Sequence, residues 1–250
     1  MLASLQMELK TENNDFIPYQ KAVILQGILM EQVEAAYAAK LHEPGLHPYS
    51  QWVISQNGRN IWTVCTTNRE AYQELILPLE SDGFTGFYME DDDWKVSVVQ
   101  KQLLKIGKSE FMDNYYFQDS DRYIQVAFQT PTAFKSQGEY VCMPTLQLIY
   151  QSLMKKYDAA SEDETVESEE VLEQLLEYSR IVQYQLHSCS YSVHGKRIPA
   201  FMGQIKIKIN GPQAMVNFLN LLFHFGEYAG IGIKTAMGMG AIRLTEGRKR

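Results

Sequence analysis

The stretch GEYAGIGIKTAMGMGAIRL (226–244) is the first place where this sequence could do chemistry. It contains five of the 16 glycines of the chain, and Lys234 is the single basic residue between Gly230 and Gly240. Glycines at this density allow bare backbone N–H groups to approach a ligand, and that ligand is often an anion. The pattern therefore predicts a contact with phosphate or another anion.

The glycine spacing differs from that of the common nucleotide-binding loops. A dinucleotide fingerprint would need a third glycine at the position of Thr235, and a P-loop would need Lys followed by Ser or Thr after Gly238 or Gly240. A helix is predicted to lead into the stretch and a strand to leave it, which reverses the order found in those loops. The anion is therefore not predicted to be a bound nucleotide cofactor.

The second place is LHEPGLHPYS (41–50), which contains His42 and His47. Imidazole can accept or donate a proton near neutral pH, so a histidine beside a phosphate suits phosphodiester cleavage. From the residue pattern alone, both histidines are also consistent with ordinary surface positions at a helix end and in a loop.

Charge is distributed unevenly along the chain. The net charge is −7 over 250 residues, but residues 181–250 contain nine basic and two acidic residues against 14 and 28 in the rest. A basic third within an acidic chain is typical of a protein that meets phosphate with one face. Three of these charges belong to the tail Arg248, Lys249 and Arg250. The balance predicts a polyanion as partner.

Composition limits the other classes of protein. The 45% hydrophobic content suits one large domain or two of about 100–130 residues. No apolar run reaches the roughly 18 residues of a membrane span, and the start lacks a signal-peptide pattern, so a soluble cytoplasmic protein without membrane contact is expected. The cysteines Cys65, Cys142 and Cys189 lack metal-site spacing and are interpreted as reduced core thiols. No cofactor or metal is predicted.

The elements that must position these residues form a repeated order. For the first half, periodicity and turn signals predict a strand at 5–10, a helix at 17–41, strands at 51–55 and 60–66, a helix at 69–79 and a strand at 95–106. The helix is expected to pack one row against the core, namely Leu25, Leu29, Val33, Tyr37 and Leu41. Pro44 is expected to stop it. Asp91 to Asp93 are interpreted as a solvated turn.

The second half repeats the pattern after a polar connection at 107–121. The predicted elements are strands at 122–132, 181–194, 200–209 and 240–244, with helices at 144–157 and 213–228. Each half reads β-α-β-β-α-β, the ferredoxin-like order. The prediction is an α+β protein with two tandem ferredoxin-like domains, 1–115 and 116–250, and a C-terminal glycine-rich loop.

An acidic insertion at 158–177 interrupts the second repeat. It contains nine acidic residues and no basic one. So many charges of the same sign would repel one another on a packed face. We expect a mobile loop to about Glu167 and then a short helix N-capped by Ser168.

The double repeat, ending in helix, glycine loop and strand, resembles the CRISPR repeat-processing endoribonucleases of the RAMP superfamily. The pattern GhGxxxxxGhG with its lysine fits 230–240 without a gap, FQTPTAFKSQGEYVCMPTLQLIYQSL (128–153) is similar to another family segment, and 41–50 is similar to its LHxxG stretch. The resemblance extends over nearly the full length. TPTAFKSQGEY resembles most the enzymes of type III-A systems.

The resemblance implies metal-independent cleavage of CRISPR precursor RNA within each repeat. The ribose 2'-OH attacks the adjacent phosphate, which gives a 2',3'-cyclic phosphate and a 5'-OH. The catalytic histidine of the family corresponds to His42; His47 is the competitor. Some relatives add a tyrosine and a lysine: Tyr37 is near enough but lies in the apolar row, and Lys40, Lys135 or Lys234 are equal choices for the charge.

Several basic and glycine residues are candidates for RNA contact. Lys206 and Lys208 alternate with isoleucines and should share the open face of a strand, while Lys135 lies in a predicted loop and Lys196 with Arg197 at a hairpin tip. The full set is Lys135, Lys196, Arg197, Lys206, Lys208, Gly230, Gly232, Lys234, Gly238 and Gly240. A homodimer and transient contact with a CRISPR effector complex are further partner hypotheses.

Two other functions remain open at this stage. A non-catalytic RNA-binding RAMP subunit would share the folds and the glycine loop but would need no histidine. An acidic interaction protein would use the glycine loop only to close a sheet on a helix. Cleavage of repeat RNA in the presence of EDTA separates the three.

Overall fold

The first half of the chain folds as a five-stranded antiparallel sheet with helices on one face. The computed structural model describes residues 1–43, 45–161 and 165–245. The elements are β1 (Leu2–Thr11), α1 (Ala22–Glu31), α2 (Ala35–His42), β2 (Tyr49–Gln56), β3 (Arg59–Thr66), α3 (Arg69–Ala71), a π-helical turn (Tyr72–Ile76), α4 (Leu77–Glu80), β4 (Gly86–Met89) and β5 (Trp94–Ile106). The strand order is β2-β3-β1-β5-β4, which is the ferredoxin-like order with β4 added at one edge.

The second half repeats this arrangement. Its elements are α5 (Lys108–Tyr115), β6 (Tyr123–Thr132), β7 (Phe134–Ser136), β8 (Glu139–Val141), α6 (Leu146–Ala160), α7 (Glu169–Tyr178), β9 (Ser179–Val193), β10 (Lys196–Ile209), α8 (Gln213–Ala229) and β11 (Ile242–Leu244). The sheet order is β11-β6-β10-β9, and every neighbouring pair is antiparallel. The predicted α+β fold with two β-α-β-β-α-β units is confirmed; the division at 115/116 stays our proposal.

Local signals placed several elements correctly. The Asn57-Gly58 turn joins β2 to β3 with both residues at positive φ, 54° and 74°, as a type I' hairpin requires. Ser168 caps α7 by accepting a 3.1 Å hydrogen bond from the Val171 amide, as predicted. Thr145 caps α6 in the same way at Leu148, so this helix begins just after Pro144 rather than at it.

The predicted helix at 17–41 is wrong as a single element. A 3-10 turn precedes α1. The helix is then interrupted between α1 and α2, where Glu34 has a non-helical backbone with φ −58° and ψ 139°. Residues four apart in an α-helix rotate by about 40° per step, so five of them drift by roughly 160° around a straight helix. The interruption between α1 and α2 turns the second helix so that its apolar residues face the core again. Leu25 and Leu29 of α1 and Tyr37 and Leu41 of α2 are accordingly all buried.

Other differences concern short elements and polar segments. The connection at 107–121 contains α5, because Phe111 packs into the core of the second half. Strand β4 and the β7–β8 hairpin were not predicted. Of the cysteines, Cys65 is a core thiol, whereas Cys142 is exposed and Cys189 half-buried, which corrects the interpretation of all three as core residues.

Some predictions fall outside the described residues. These are the helix stop at Pro44, the part of the acidic insertion at 162–164 that the predicted mobile loop includes, and the basic tail at 248–250. The Asp91–Asp93 turn is described, and Asp92 forms an ion pair with Lys21. Among the helices described, none has the length and apolar character to cross a membrane.

Candidate active site

The glycine stretch forms the connection between α8 and β11, and most of it is internal. Gly230, Gly232 and Gly240 have positive φ. The amide of Gly232 donates to Ser152 Oγ at 2.8 Å, and the amide of Gly240 donates to the Pro131 carbonyl at 3.0 Å. The Gly230 and Gly240 residues are buried. These amides already have acceptors within the chain, so part of the glycine stretch serves to hold neighbouring elements together.

Gly238 lies where elements of both halves press against the glycine stretch. It has φ +94°, and a Cβ built there would overlap the Ala22 side chain and lie 2.7 Å from Tyr191 Oη. Tyr191 is itself buried and donates a 2.7 Å hydrogen bond to the Met237 carbonyl. Glycine is needed here because α1 of the first half and β9 of the second half both close on the loop.

Gln51 of β2 ties the first half to the same loop. Its amide nitrogen donates to the carbonyls of Ala22 at 2.7 Å and Ala236 at 3.0 Å, and its oxygen accepts from Trp62 Nε1 at 2.9 Å. Gln51 is fully buried, so a satisfied amide is required. The strand that follows the histidine loop is therefore anchored directly to the glycine stretch.

Lys234 stands at the exposed apex of the stretch. Its backbone is left-handed, with φ 57°, and the 3-10 turn Thr235–Met237 begins immediately after it. Its flanking residues Ile233 and Thr235 are half-buried and buried. The ammonium group is thus a solvent-facing charge on a rigidly held backbone.

The charge of Lys234 reaches the segment that carries the two histidines. His42 is the last residue of α2, and His47 lies in the following loop with its ring centroid 5.9 Å from that of Tyr49. Partial desolvation of the ring, together with the positive charges of Lys234 and His42, lowers the pKa of His47. Both histidines remain exposed. His47 is therefore within electrostatic range of both Lys234 and His42.

Tyr37 is in a different environment. It is 6% exposed, its hydroxyl oxygen has no hydrogen-bond partner among the described residues, and burial raises its pKa. Lys40, another sequence candidate, pairs with Glu70 at 2.7 Å and lies 5.6 Å from the Tyr37 ring. Tyr37 is packed as the apolar row predicts, and the charge of Lys40 is already compensated.

The candidates for RNA contact occupy the second half. Lys135 is exposed on β7, and Lys196 with Arg197 follows the turn at His194 and Gly195, both at positive φ. Strand β10 begins at Lys196, so the predicted turn is shorter than expected. The structure separates these exposed tips from the open sheet face that carries Lys206 and Lys208.

That open face has the predicted alternation. Ile205, Ile207 and Ile209 of β10 are buried, while the ammonium groups of Lys206 and Lys208 lie 4.9 Å and 5.7 Å from the Tyr123 ring centroid. Beside them, three glutamines from adjacent strands form a hydrogen-bonded ladder, namely Gln125, Gln204 and Gln185. The face thus combines cations, an exposed aromatic ring and amides.

Sequence reasoning missed the residues under the loop. Lys156 of α6 is 9% exposed, and its Nζ donates to the carbonyls of Ala229 and Gly230 at 3.1 Å each and to Thr235 Oγ1 at 3.3 Å. The sequence does contain one sign that Lys156 is buried: its spacing places it on the same helix face as the buried Ile149 and Leu153.

Comparison with known proteins identifies the family. A family model described as CRISPR-associated endoribonuclease Cas6 matches residues 126–242. A Streptococcus thermophilus protein of that name is 34% identical over 225 residues, covering 90% of this chain and 91% of that protein. The chain belongs to the Cas6 family. Its Mycobacterium tuberculosis (strain CDC 1551 / Oshkosh) relative, a CRISPR-associated endoribonuclease Cas6, is 33% identical over 221 residues, covering 88% and 70%.

Solved Cas6 structures share the fold over the whole chain. A Cas6 product complex superposes with a TM-score of 0.79 at 19% identity and covers 98% of this chain and 99% of that one. Thermus thermophilus Cas6 gives 0.72 at 19% identity and covers 98% of both. The predicted family of CRISPR endoribonucleases is confirmed, while the type III-A subtype stays a prediction.

Proposed function

We propose that the chain cleaves CRISPR precursor RNA within its repeats without a metal ion, using histidine chemistry beside Lys234. The observation that carries the proposal is that the charges of both Lys234 and His42 act on His47, although Lys234 belongs to the other half of the chain. A reaction at a phosphodiester needs a base, an acid and a positive charge. These residues offer all three functions at one exposed place.

The proposed reaction is an internal transfer at phosphorus. A base removes the proton of the ribose 2'-OH, and the 2'-oxygen forms a bond to the adjacent phosphorus. The bond from phosphorus to the 5'-oxygen breaks, and an acid supplies the proton to that oxygen. The products are a 2',3'-cyclic phosphate and a 5'-OH, with no net uptake of water.

The residues divide these tasks by their environment. The lowered pKa of His47 favours the neutral imidazole, the form that accepts a proton. His42 keeps its family-derived role as the essential histidine, and its exposed position at the end of α2 suits proton donation to the leaving oxygen. Lys234 supplies charge to the phosphorane. Of the three lysines considered, Lys40 is paired with Glu70, and Lys234 is the one whose charge reaches His47.

RNA binding is proposed to involve the basic second half. Phosphate contacts by Lys and Arg give affinity, and exposed aromatic rings stack on bases. Lys206, Lys208 and Tyr123 form such a face, and the tips with Lys135, Lys196 and Arg197 extend the basic surface. The amides of Gly230, Gly232 and Gly240 are bonded internally, so we assign phosphate contact at the loop to the Lys234 side chain.

One experiment tests the function. Repeat RNA is incubated with the protein in EDTA, the cut is mapped, and the RNA is remade with a single 2'-deoxyribose at that cut. We expect the wild-type protein to make one cut that leaves a 2',3'-cyclic phosphate, and to leave the deoxy RNA intact. His42→Ala should lower the cleavage rate by about 10² to 10⁴ while RNA affinity stays near normal. Cleavage of the deoxy RNA would overturn the mechanism.

The same assay decides the alternatives. Tight RNA binding with no cleavage in the presence or absence of Mg²⁺ would favour a non-catalytic subunit. Cleavage that appears only with Mg²⁺ would overturn metal independence. Full activity of His42→Ala would remove His42 from the site and leave His47 as the essential histidine, which His47→Ala then tests.

A further inference from the structure

Lys156 occupies a position that ordinary packing does not explain. Lysine is rarely buried because its charge must leave water, and it needs partners when it does. The Lys156 side chain is enclosed between α6 and the end of α8, and burial lowers its pKa to about 7. Its three hydrogen-bond acceptors match the three donors of an ammonium group.

The acceptors lie at a defined point of the fold. Ala229 is the last residue of α8, and Gly230 is its C-cap. Carbonyls at a helix C-terminus lack intrahelical partners and carry partial negative charge, so a cation is favoured there. Lys156 therefore satisfies the end of the 17-residue helix α8 from which the glycine stretch departs.

The third acceptor lies on the other side of the loop apex. Thr235 directly follows Lys234 and opens the 3-10 turn. One helical turn before Lys156, Ser152 accepts the Gly232 amide at 2.8 Å. Helix α6 thus holds both sides of the apex, before and after Lys234, while Gln51 holds the same 3-10 turn from the first half.

We infer that Lys156 is a positioning residue for RNA cleavage, which sets the placement of the Lys234 ammonium relative to His47 by tying the end of α8 to Thr235. This inference rests on the proposed role of Lys234 at the phosphate. Lys156 is buried beneath the loop and does not meet RNA itself. Displacements of about 1 Å in a positioned group can cost about 10²-fold in rate.

The test is a double-mutant cycle on the single-turnover cleavage rate at saturating repeat RNA. The variants are Lys156→Met, Lys234→Met and the double variant, with Thr235→Val as a milder change that removes one acceptor and keeps the side-chain shape. Lys155→Met is the matched control, because Lys155 is the adjacent lysine and pairs at the surface with Glu167 at 3.5 Å. RNA affinity and the urea midpoint of each variant are measured in parallel.

We expect Lys156→Met to cleave about 10- to 100-fold more slowly with near-normal RNA affinity, Thr235→Val to cleave several-fold more slowly, and Lys155→Met to match the wild type. The double variant should be no slower than Lys234→Met, because Lys156 acts through Lys234. Rate losses that multiply in the double variant would overturn the inference. If Lys156→Met fails to fold, the same cycle with Thr235→Val decides.

Failure of the underlying function gives a different result. A wild-type rate in Lys234→Met would remove Lys234 from the site and overturn the inference with it. The other outcome is slow cleavage by Lys234→Met together with wild-type rates in both Lys156→Met and Thr235→Val. That result would leave the proposed function standing and overturn only the positioning role of Lys156.

Discussion

The side-chain amide of Gln51 donates a 3.0 Å hydrogen bond to the carbonyl of Ala236, 185 residues later in the chain. Gln51 lies on the strand that follows the histidine loop, and Ala236 lies two residues after Lys234. Ala236 also belongs to the hydrophobic core of the first half. This contact ties the strand after the histidine loop to the glycine stretch, which the proposed site requires because it draws residues from both halves.

The steric demand at Gly238 gives the first prediction. Gly238→Ala should lower the free energy of unfolding by about 2–4 kcal/mol, because its Cβ would collide with Ala22 and Tyr191 at φ +94°. Gly195→Ala is the control: Gly195 also has positive φ, +76°, but nothing lies within 4 Å of the added Cβ. That change should cost only about 1 kcal/mol. Urea unfolding measures both, and equal losses would mean that backbone strain alone dominates.

The order of elements was predictable because each half carries its own periodicity and turn signals. Asn57 and Gly58 specify their hairpin, and Ser168 specifies its cap, through contacts a few residues apart. The break between α1 and α2 was not predictable in this way. It depends on which side of the helix meets the sheet, and only the assembled core determines that side.

The candidate site shows the same limit. His42, His47 and Lys234 were selected by residue type and family resemblance, but the effect of the Lys234 charge on His47 depends on the packing of one half against the other. Lys156 was missed because a lysine in a helix is expected in solvent. Its role appears only when the end of α8 is placed above α6.

The pKa of His47 provides a test of proximity in solution. Desolvation and the charges of Lys234 and His42 hold it below its ordinary value. Lys234→Met removes one positive charge, so the pKa of His47 should rise toward about 6.5. NMR titration of the imidazole Cε1 proton, assigned by its loss in His47→Ala, measures the shift. A pKa of His47 that does not move in Lys234→Met would contradict the proposed effect of the Lys234 charge.

The burial of Lys156 predicts how stability depends on pH. Its pKa is lowered from an ordinary 10.5 to about 7 in the folded chain. Between these values the unfolded chain binds one more proton, so this group makes stability rise with pH, by up to about 1.4 kcal/mol per pH unit. The contribution is lost as pH falls toward 7.

Urea unfolding of the wild type and Lys156→Met between pH 6 and 9.5 measures this effect. The difference in unfolding free energy, wild type minus variant, should grow with pH above 7 and stay flat below it. Lys155→Met should follow the wild-type curve at every pH. A difference that is constant across the range would show that Lys156 keeps its proton, held by the three acceptors.

The open face of the second sheet predicts a change in the salt dependence of RNA binding. Lys206→Met with Lys208→Met should weaken binding of a non-cleavable repeat RNA and lower the slope of log K against log salt by about 1 to 1.5, since each phosphate contact on single-stranded RNA contributes about 0.7. The charge-matched control is Lys95→Met with Lys155→Met, because both lysines pair with glutamates. If both double variants lower the slope equally, the loss reflects net charge rather than contact at this face, whereas an unchanged control slope locates the bound phosphates beside Tyr123.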